Sequence, residues 1–264
     1  MTVFFRIHRM ARGDMTESKA KPYDDKKSRI EAIRTIHEKL KQAWADEVEV
    51  PRRKTLDELV FNLLLQGSSK ERAERAFEAL TEEFHDWNEV RVTLPSTIVE
   101  VIKGVGLESL KAVRLVKILQ GIFEDRSEVD LEFLREMEPK AVGNYLGNME
   151  GIGGHAVESV LAFSLDRHVF PLTKAAERFA ERFGLVGGKN AGKDFKELAE
   201  EGVPEGEMPL FIVLLDYHNQ VVCRADRPKC SKCPLASDCL RGRKAAERSR
   251  RRKSAAAARK QSRK

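Results

Sequence analysis

The run VLLDYHNQVVCRADRPKCSKCPLASDC (213–239) holds every cysteine in the chain: Cys223, Cys230, Cys233 and Cys239, spaced C-x6-C-x2-C-x5-C. Four thiols within so short a stretch, with none elsewhere, read as one metal-binding loop rather than a disulfide framework. Such a soft sulfur cage suits zinc or an iron–sulfur cluster. Zinc ribbons usually offer two short Cys-x2-Cys knuckles, and here only Cys230 and Cys233 form one. The wide first gap, with Pro228 before the second cysteine and Pro234 after the third, favours a loop wrapped around a larger object. The spacing predicts a 4Fe–4S cluster first, zinc second and two disulfides third.

Working outward, the rest of the chain reads as nearly all helix, since Leu, Ala, Glu, Lys and Arg dominate and β-branched alternation is scarce. An amphipathic stretch from Lys27 to Trp44 carries Ile30, Ile33, Ile36 and Leu40 at helical spacing, and Pro51 ends it. TLDELVFNLLLQG (55–67) is apolar enough for a buried helix. SSKERAERAFEALTEEF (68–84) opens with Ser68 and Glu71 at capping-box spacing. Further helices are expected over 97–102 and 109–123, with Pro139, Gly143 and Gly147 punctuating the segment beyond them. Trp44 and Trp87 read as packing residues.

One weak internal repeat stands out. IKGVGLESLKAVRLVKIL (102–119) and MEGIGGHAVESVLAFSL (149–165) both read helix, Gly-aliphatic-Gly hairpin, helix. Glycine permits the tight turn, and the free N–H groups of the next helix then face outward toward an anion such as a DNA phosphate.

Charge is uneven. The chain of 264 residues carries a net +6. Residues 241–264 hold twelve Lys and Arg against one acid, Glu247, so the remaining 240 residues sum to −5 (6 minus 11). That tail reads as a disordered extension that associates loosely with polyanions, or one that merely aids solubility. No apolar run approaches the roughly 18–20 residues that cross a bilayer, which argues against a membrane partner. The arginine-bearing start, residues 1–25, reads as a disordered leader, and Met15 is a second possible start. A thiolate cluster fits a reducing, cytoplasmic setting, associated with the nucleoid in a bacterium.

Together, 213–239 and the hairpin Gly151-Ile152-Gly153 resemble the endonuclease III superfamily, the helix-hairpin-helix (HhH-GPD) DNA glycosylases with a C-terminal iron–sulfur loop. The resemblance covers roughly residues 55 to 240. It implies an all-α fold of two domains: a six-helix barrel over 55–166, and a cluster domain combining 26–54 with 167–240. It further implies a monomer that binds double-stranded DNA across the cleft between them, the damaged or abasic nucleotide turned outward. The hairpin at Gly151, Ile152, Gly153 and Gly154 would contact DNA, and the copy at Gly104 would serve packing. Arg224, Arg227, Lys229 and Lys232, in and after the first cysteine gap, would meet phosphates or offset the cluster's charge. Gln66 would fill the gap left by the extruded base, or simply end a helix.

The resemblance also says where base-excision chemistry should sit. The family's Schiff-base lysine belongs two residues past the hairpin's second glycine, where this chain has His155. Its aspartate belongs at the start of a following helix, and alignment through Arg178 and RFGLV (182–186) puts Thr173 there. Imidazole forms no Schiff base, and threonine brings no charge to oppose an oxocarbenium ion. The expectation is a damaged- or distorted-DNA-binding protein with the family's glycosylase and AP-lyase activity lost or altered. The alternatives are an active glycosylase using His155 or Lys174, with Glu158 and Asp166 as nearby carboxylates, and a zinc-stabilised helical scaffold with no catalytic role.

Overall fold

The computed structural model describes residues 23–261. No strand occurs among them, and twelve α-helices run in chain order from α1 (Lys26–Trp44) to α12 (Leu240–Gln261). The expected leader lies almost wholly outside the described residues.

Two hydrophobic cores organise the chain. The first is built by α2 (Thr55–Leu65), α3 (Lys70–Glu83), α4 (Trp87–Val92), α5 (Pro95–Val101), α6 (Glu108–Arg126), α7 (Pro139–Gly147) and α8 (Gly154–Ser159). Helix α2 is apolar on most sides, and Leu59, Val60, Leu63 and Leu64 bury accordingly. Its one buried acid, Glu58, takes hydrogen bonds from Asn62 (2.8 Å) and Arg53 (3.3 Å). Burial pushes that carboxyl up to about 7, with Arg53 pulling the other way. Helix α8 runs on through a π turn, Val160–Ser164, whose residues pack into both cores.

The second core joins α1 to α9 (Lys174–Phe183), α10 (Ala191–Gly202) and α11 (Met208–Val221). Helix α1 begins at an Asp25 cap and presents Ile33, Ile36 and Leu40, spaced for one face, to this core. It can approach α10 closely because residue 202 is glycine: a Cβ there would lie 2.7 Å from Ile33 Cβ. Segment 26–54 thus folds largely with residues far along the chain.

Four expectations need correction. The basic tail is no disordered extension up to residue 261 but the helix α12, since Ala, Arg and Lys are strong helix formers. Helix α3 is capped by Ser69, whose hydroxyl accepts from Arg72 N–H (3.4 Å), rather than by Ser68 in a box with Glu71. Gly143 and Gly147 do not interrupt the chain; both lie inside α7. Helix α6 runs to Arg126, one turn beyond the 109–123 expected. No described helix is long and apolar enough to cross a membrane.

Candidate nucleic-acid interface and metal centre

The loop after α11 folds back so that Cys223, Cys230, Cys233 and Cys239 line one cavity with Phe179, Leu235 and Pro228. Arg182 holds its start: its guanidinium donates to the carbonyls of Cys223 (3.2 Å), Arg224 (2.7 Å) and Ala225 (2.7 Å). His218 is buried, with Nε2 3.7 Å from Cys233 Sγ and Nδ1 without a partner among the described residues. Burial holds its imidazole down at about 4. Burial also pushes the Cys233 thiol up to about 11, with the other three cysteines adding to the rise. Among the described residues no three His, Cys, Asp or Glu side chains converge closely enough to hold one metal ion.

The second hairpin is open to an anion. Gly151 has φ +88°, a left-handed backbone that favours glycine, and a Cβ there would fall 2.6 Å from Arg114 Cδ and displace that side chain. Its carbonyl accepts a 2.8 Å hydrogen bond from Gln66 Nε2. Gln66 is the C-cap of α2, so the wedge candidate is docked directly on the hairpin. Gly153 caps α8, and the N–H groups of Gly153, Gly154 and His155 meet no acceptor among the described residues. All three residues are exposed. Amides so arranged at a helix start attract anions.

The first hairpin is closed. Glu108 Oε1 accepts from Gly104 N–H (3.0 Å) and Gly106 N–H (2.9 Å), leaving those amides nothing to offer. Beside them stands a residue that sequence reasoning missed. Leu107 adopts left-handed backbone (φ 58°) and leaves its side chain 63% exposed.

Arg224, Arg227, Lys229 and Lys232 are all exposed on the cysteine loop, and none forms an ion pair among the described residues. A cavity of about 480 Å³ opens where the two cores meet, lined by Arg52 and Arg53, by Lys70 and Glu74 of α3, and by Asp216 and Tyr217 of α11. Asp216, unremarked in the sequence, is enclosed by protein on most sides, which pushes its carboxyl up to about 6 while Lys70 pulls it down.

No protein-family model matches the chain. Known proteins do. A putative DNA repair glycosylase of Methanocaldococcus jannaschii is 23% identical over 222 residues, covering 81% of this chain and 99% of that protein. A putative DNA glycosylase of Arabidopsis thaliana is 31% identical over 138 residues, 52% of this chain and 47% of that one. A trapped endonuclease III–DNA covalent intermediate superposes with a TM-score of 0.69 at 17% identity, covering 82% of this chain and 98% of that chain. A thermostable thymine-DNA glycosylase follows at 0.66 and 20%, covering 83% and 97%. The chain has the fold of endonuclease III, and its sequence resembles DNA glycosylases. It spans less than half the length of the Arabidopsis relatives, only 14% of DEMETER-like protein 2 among them.

His155 occupies the first turn of α8, exposed to solvent but hemmed by protein. That surrounding holds its pKa below the usual imidazole range, against the pull of Glu158. Thr173 is the N-cap of α9, its hydroxyl accepting from Ala176 N–H at 3.1 Å. The helix start at that position is capped with no charge. Lys174 points away into solvent, 94% exposed and paired with Glu177 at 3.2 Å. Glu158 is paired with Lys196, and Asp166 lies 3.7 Å from Arg135. None of these supplies a desolvated amine beside the hairpin.

Proposed function

We propose that this protein binds damaged, abasic or otherwise distorted double-stranded DNA as a base-excision-repair family member whose ordinary glycosylase and lyase chemistry is absent. The observation that carries this reading is the open row of N–H groups at Gly153, Gly154 and His155, together with the exposed cations of the cysteine loop. Amides fix a phosphate's position and exposed Arg and Lys add sequence-independent attraction. Gln66 and Leu107 are suited to enter the base stack, since apolar and amide wedges commonly prise base steps apart. The cavity at Asp216 and Lys70 offers both donors and acceptors to an extruded base.

The four thiols fit a 4Fe–4S cluster better than zinc. They line one cavity, and their spacing offers a single Cys-x2-Cys knuckle with a wide first gap, which supports a broader object. Bound there, such a cluster would tie residues 223–239 into one rigid loop, and Cys223, Cys230, Cys233 and Cys239 would hold it. Arg182 keeps the loop's first carbonyls in place, so Arg224 and Arg227 face outward.

A second reading, a monofunctional glycosylase, rests on His155. Its depressed pKa keeps the ring neutral near pH 7, able to take a proton from water. One experiment divides the two. The protein is incubated with duplexes carrying different lesions, scoring binding, nicking and borohydride trapping together. The expected result is tight binding to abasic or distorted duplexes with no covalent complex and no nicking. Release of a base that disappears in His155→Ala would establish the second reading instead. Trapping that disappears in Lys174→Ala would sink the first. Absorbance near ~400 nm that bleaches on reduction would accompany the cluster, and a colourless, zinc-loaded protein would exclude it.

A further inference from the structure

Lys111 is a charge with no obvious reason to be where it is. Only 2% exposed, on α6 and one turn after Leu107, it lies close beneath the surface but out of contact with solvent. Its ammonium donates to Leu64 O (2.7 Å) and to Val105 O (3.2 Å). Leu64 lies two residues before Gln66, and Val105 two residues before Leu107. The two segments also meet directly, because a Cβ on Gly106 would sit 3.9 Å from Gly67 O. Gln66 in turn reaches the second hairpin through Gly151 O.

The carbonyl of Leu64 belongs to the last turn of α2, where the helix has no partner for it and the dipole is negative. A buried ammonium satisfies it, but desolvating that charge is costly, and burial lowers the Lys111 pKa. An apolar side chain would fill the volume without that penalty. What only a long cationic side chain can do is grip two carbonyls on separate segments at once.

We propose that Lys111 is a positioning residue that locks Gln66 and Leu107 into a single two-pronged wedge, so that both enter a duplex together. The inference rests on the DNA reading above. Without the grip, each prong would sample its own positions and the pair would distort DNA less for the same binding.

The test uses the full chain and a duplex carrying a stable tetrahydrofuran abasic analogue opposite 2-aminopurine. At saturating protein the parent should raise 2-aminopurine fluorescence as the base unstacks. Lys111→Met, measured well below its melting temperature, should give less than half that rise even at saturation. Arg224→Gln should need more protein but reach the full rise. Gln66→Ala and Leu107→Ala should each remove most of the parent's rise, yet only partial, additive shares in the Lys111→Met background. A full rise from saturated Lys111→Met would overturn the proposal. Should that variant not fold, Lys111→Gln, too short to reach both carbonyls, tests the same grip, and an undiminished rise there would overturn it equally. A parent that binds but gives no rise would remove the wedge reading itself, whatever Lys111 does.

Discussion

The hairpins at Gly104-Val105-Gly106 and Gly151-Ile152-Gly153 share a glycine pattern, yet their backbones part at the second glycine (φ +81° at Gly106, −95° at Gly153) and their amide groups meet opposite fates. Two residues past the second glycine, one has Glu108 and the other His155. The carboxylate folds back onto Gly104 and Gly106 N–H, which with its own backbone N–H holds its pKa below the usual carboxylate range. The imidazole leaves Gly153 and Gly154 N–H open. Five residues past the same glycine the contrast repeats: Lys111 is buried and grips two carbonyls, whereas Glu158 pairs with Lys196. One glycine pattern thus serves two turn geometries. The side chain that comes after it decides whether it is finished internally or left to bind something else.

The contrast is undone most directly by giving the second hairpin the first one's acid. In His155→Glu the new carboxylate can cap Gly153 and Gly154 N–H and oppose phosphates as well. Hydrogen bonds to a charged partner are worth about 1.5–3 kcal/mol, so duplex affinity should fall roughly 10–100-fold while helicity stays at the parent's value. Titration of a fluorescent duplex at fixed salt measures it, with circular dichroism as the control. Parent affinity in that variant would mean the open amides are not the phosphate site.

Much of this is legible in the sequence, for identifiable reasons. Helical periodicity at Ile33, Ile36 and Leu40, the glycine turns and the cysteine spacing are local signals, and local signals survive without a structure. Both glycine turns are legible, although Glu108, the residue that closes the first, carries no mark. The misses are of another kind. Ser69 displaces Ser68 as a cap because one residue of register is beyond pattern reading. Lys111, Asp216 and the Gln66–Gly151 bond depend on contacts between segments far apart in sequence. No periodicity announces those. The tail's charge argues for disorder, whereas its alanines and arginines favour a helix, and the helix wins.

That helix provides a test of intermediate size. On α12, Arg241, Lys244, Arg248, Arg251 and Arg252 fall on one stripe, and the helix leaves the cysteine loop directly after Cys239. If the stripe meets phosphates, changing Lys244, Arg248, Arg251 and Arg252 together to Gln should lower the slope of log affinity against log salt by about 3.6, since each contact contributes roughly 0.9. Lesion preference should stay as it was, because the hairpins and wedge residues are untouched. An unchanged slope would make α12 a solvated extension, and the second hairpin with its loop cations would then account for the binding alone.

A subtler effect concerns stability rather than DNA, and it separates the cavity from the hairpins. Asp216 is driven from the ordinary aspartate value of 3.8 to about 6 by burial. The unfolded chain therefore releases this proton before the folded one does. This group's own contribution to folded stability is most favourable below about pH 4, falls as pH rises toward 6, and is a constant deficit above that. Asp216→Asn removes the deficit. It should melt with the parent near pH 4 and be more stable at pH 8 by about 1–2 kcal/mol, discounted because the carboxylate retains some contact with solvent. Thermal melts of both proteins across that range give the answer. A variant no more stable at pH 8 would mean Lys70 and Arg52 already hold the carboxylate ionised. The cavity would then present a fixed anion to whatever enters it, rather than a group that exchanges its proton near neutrality.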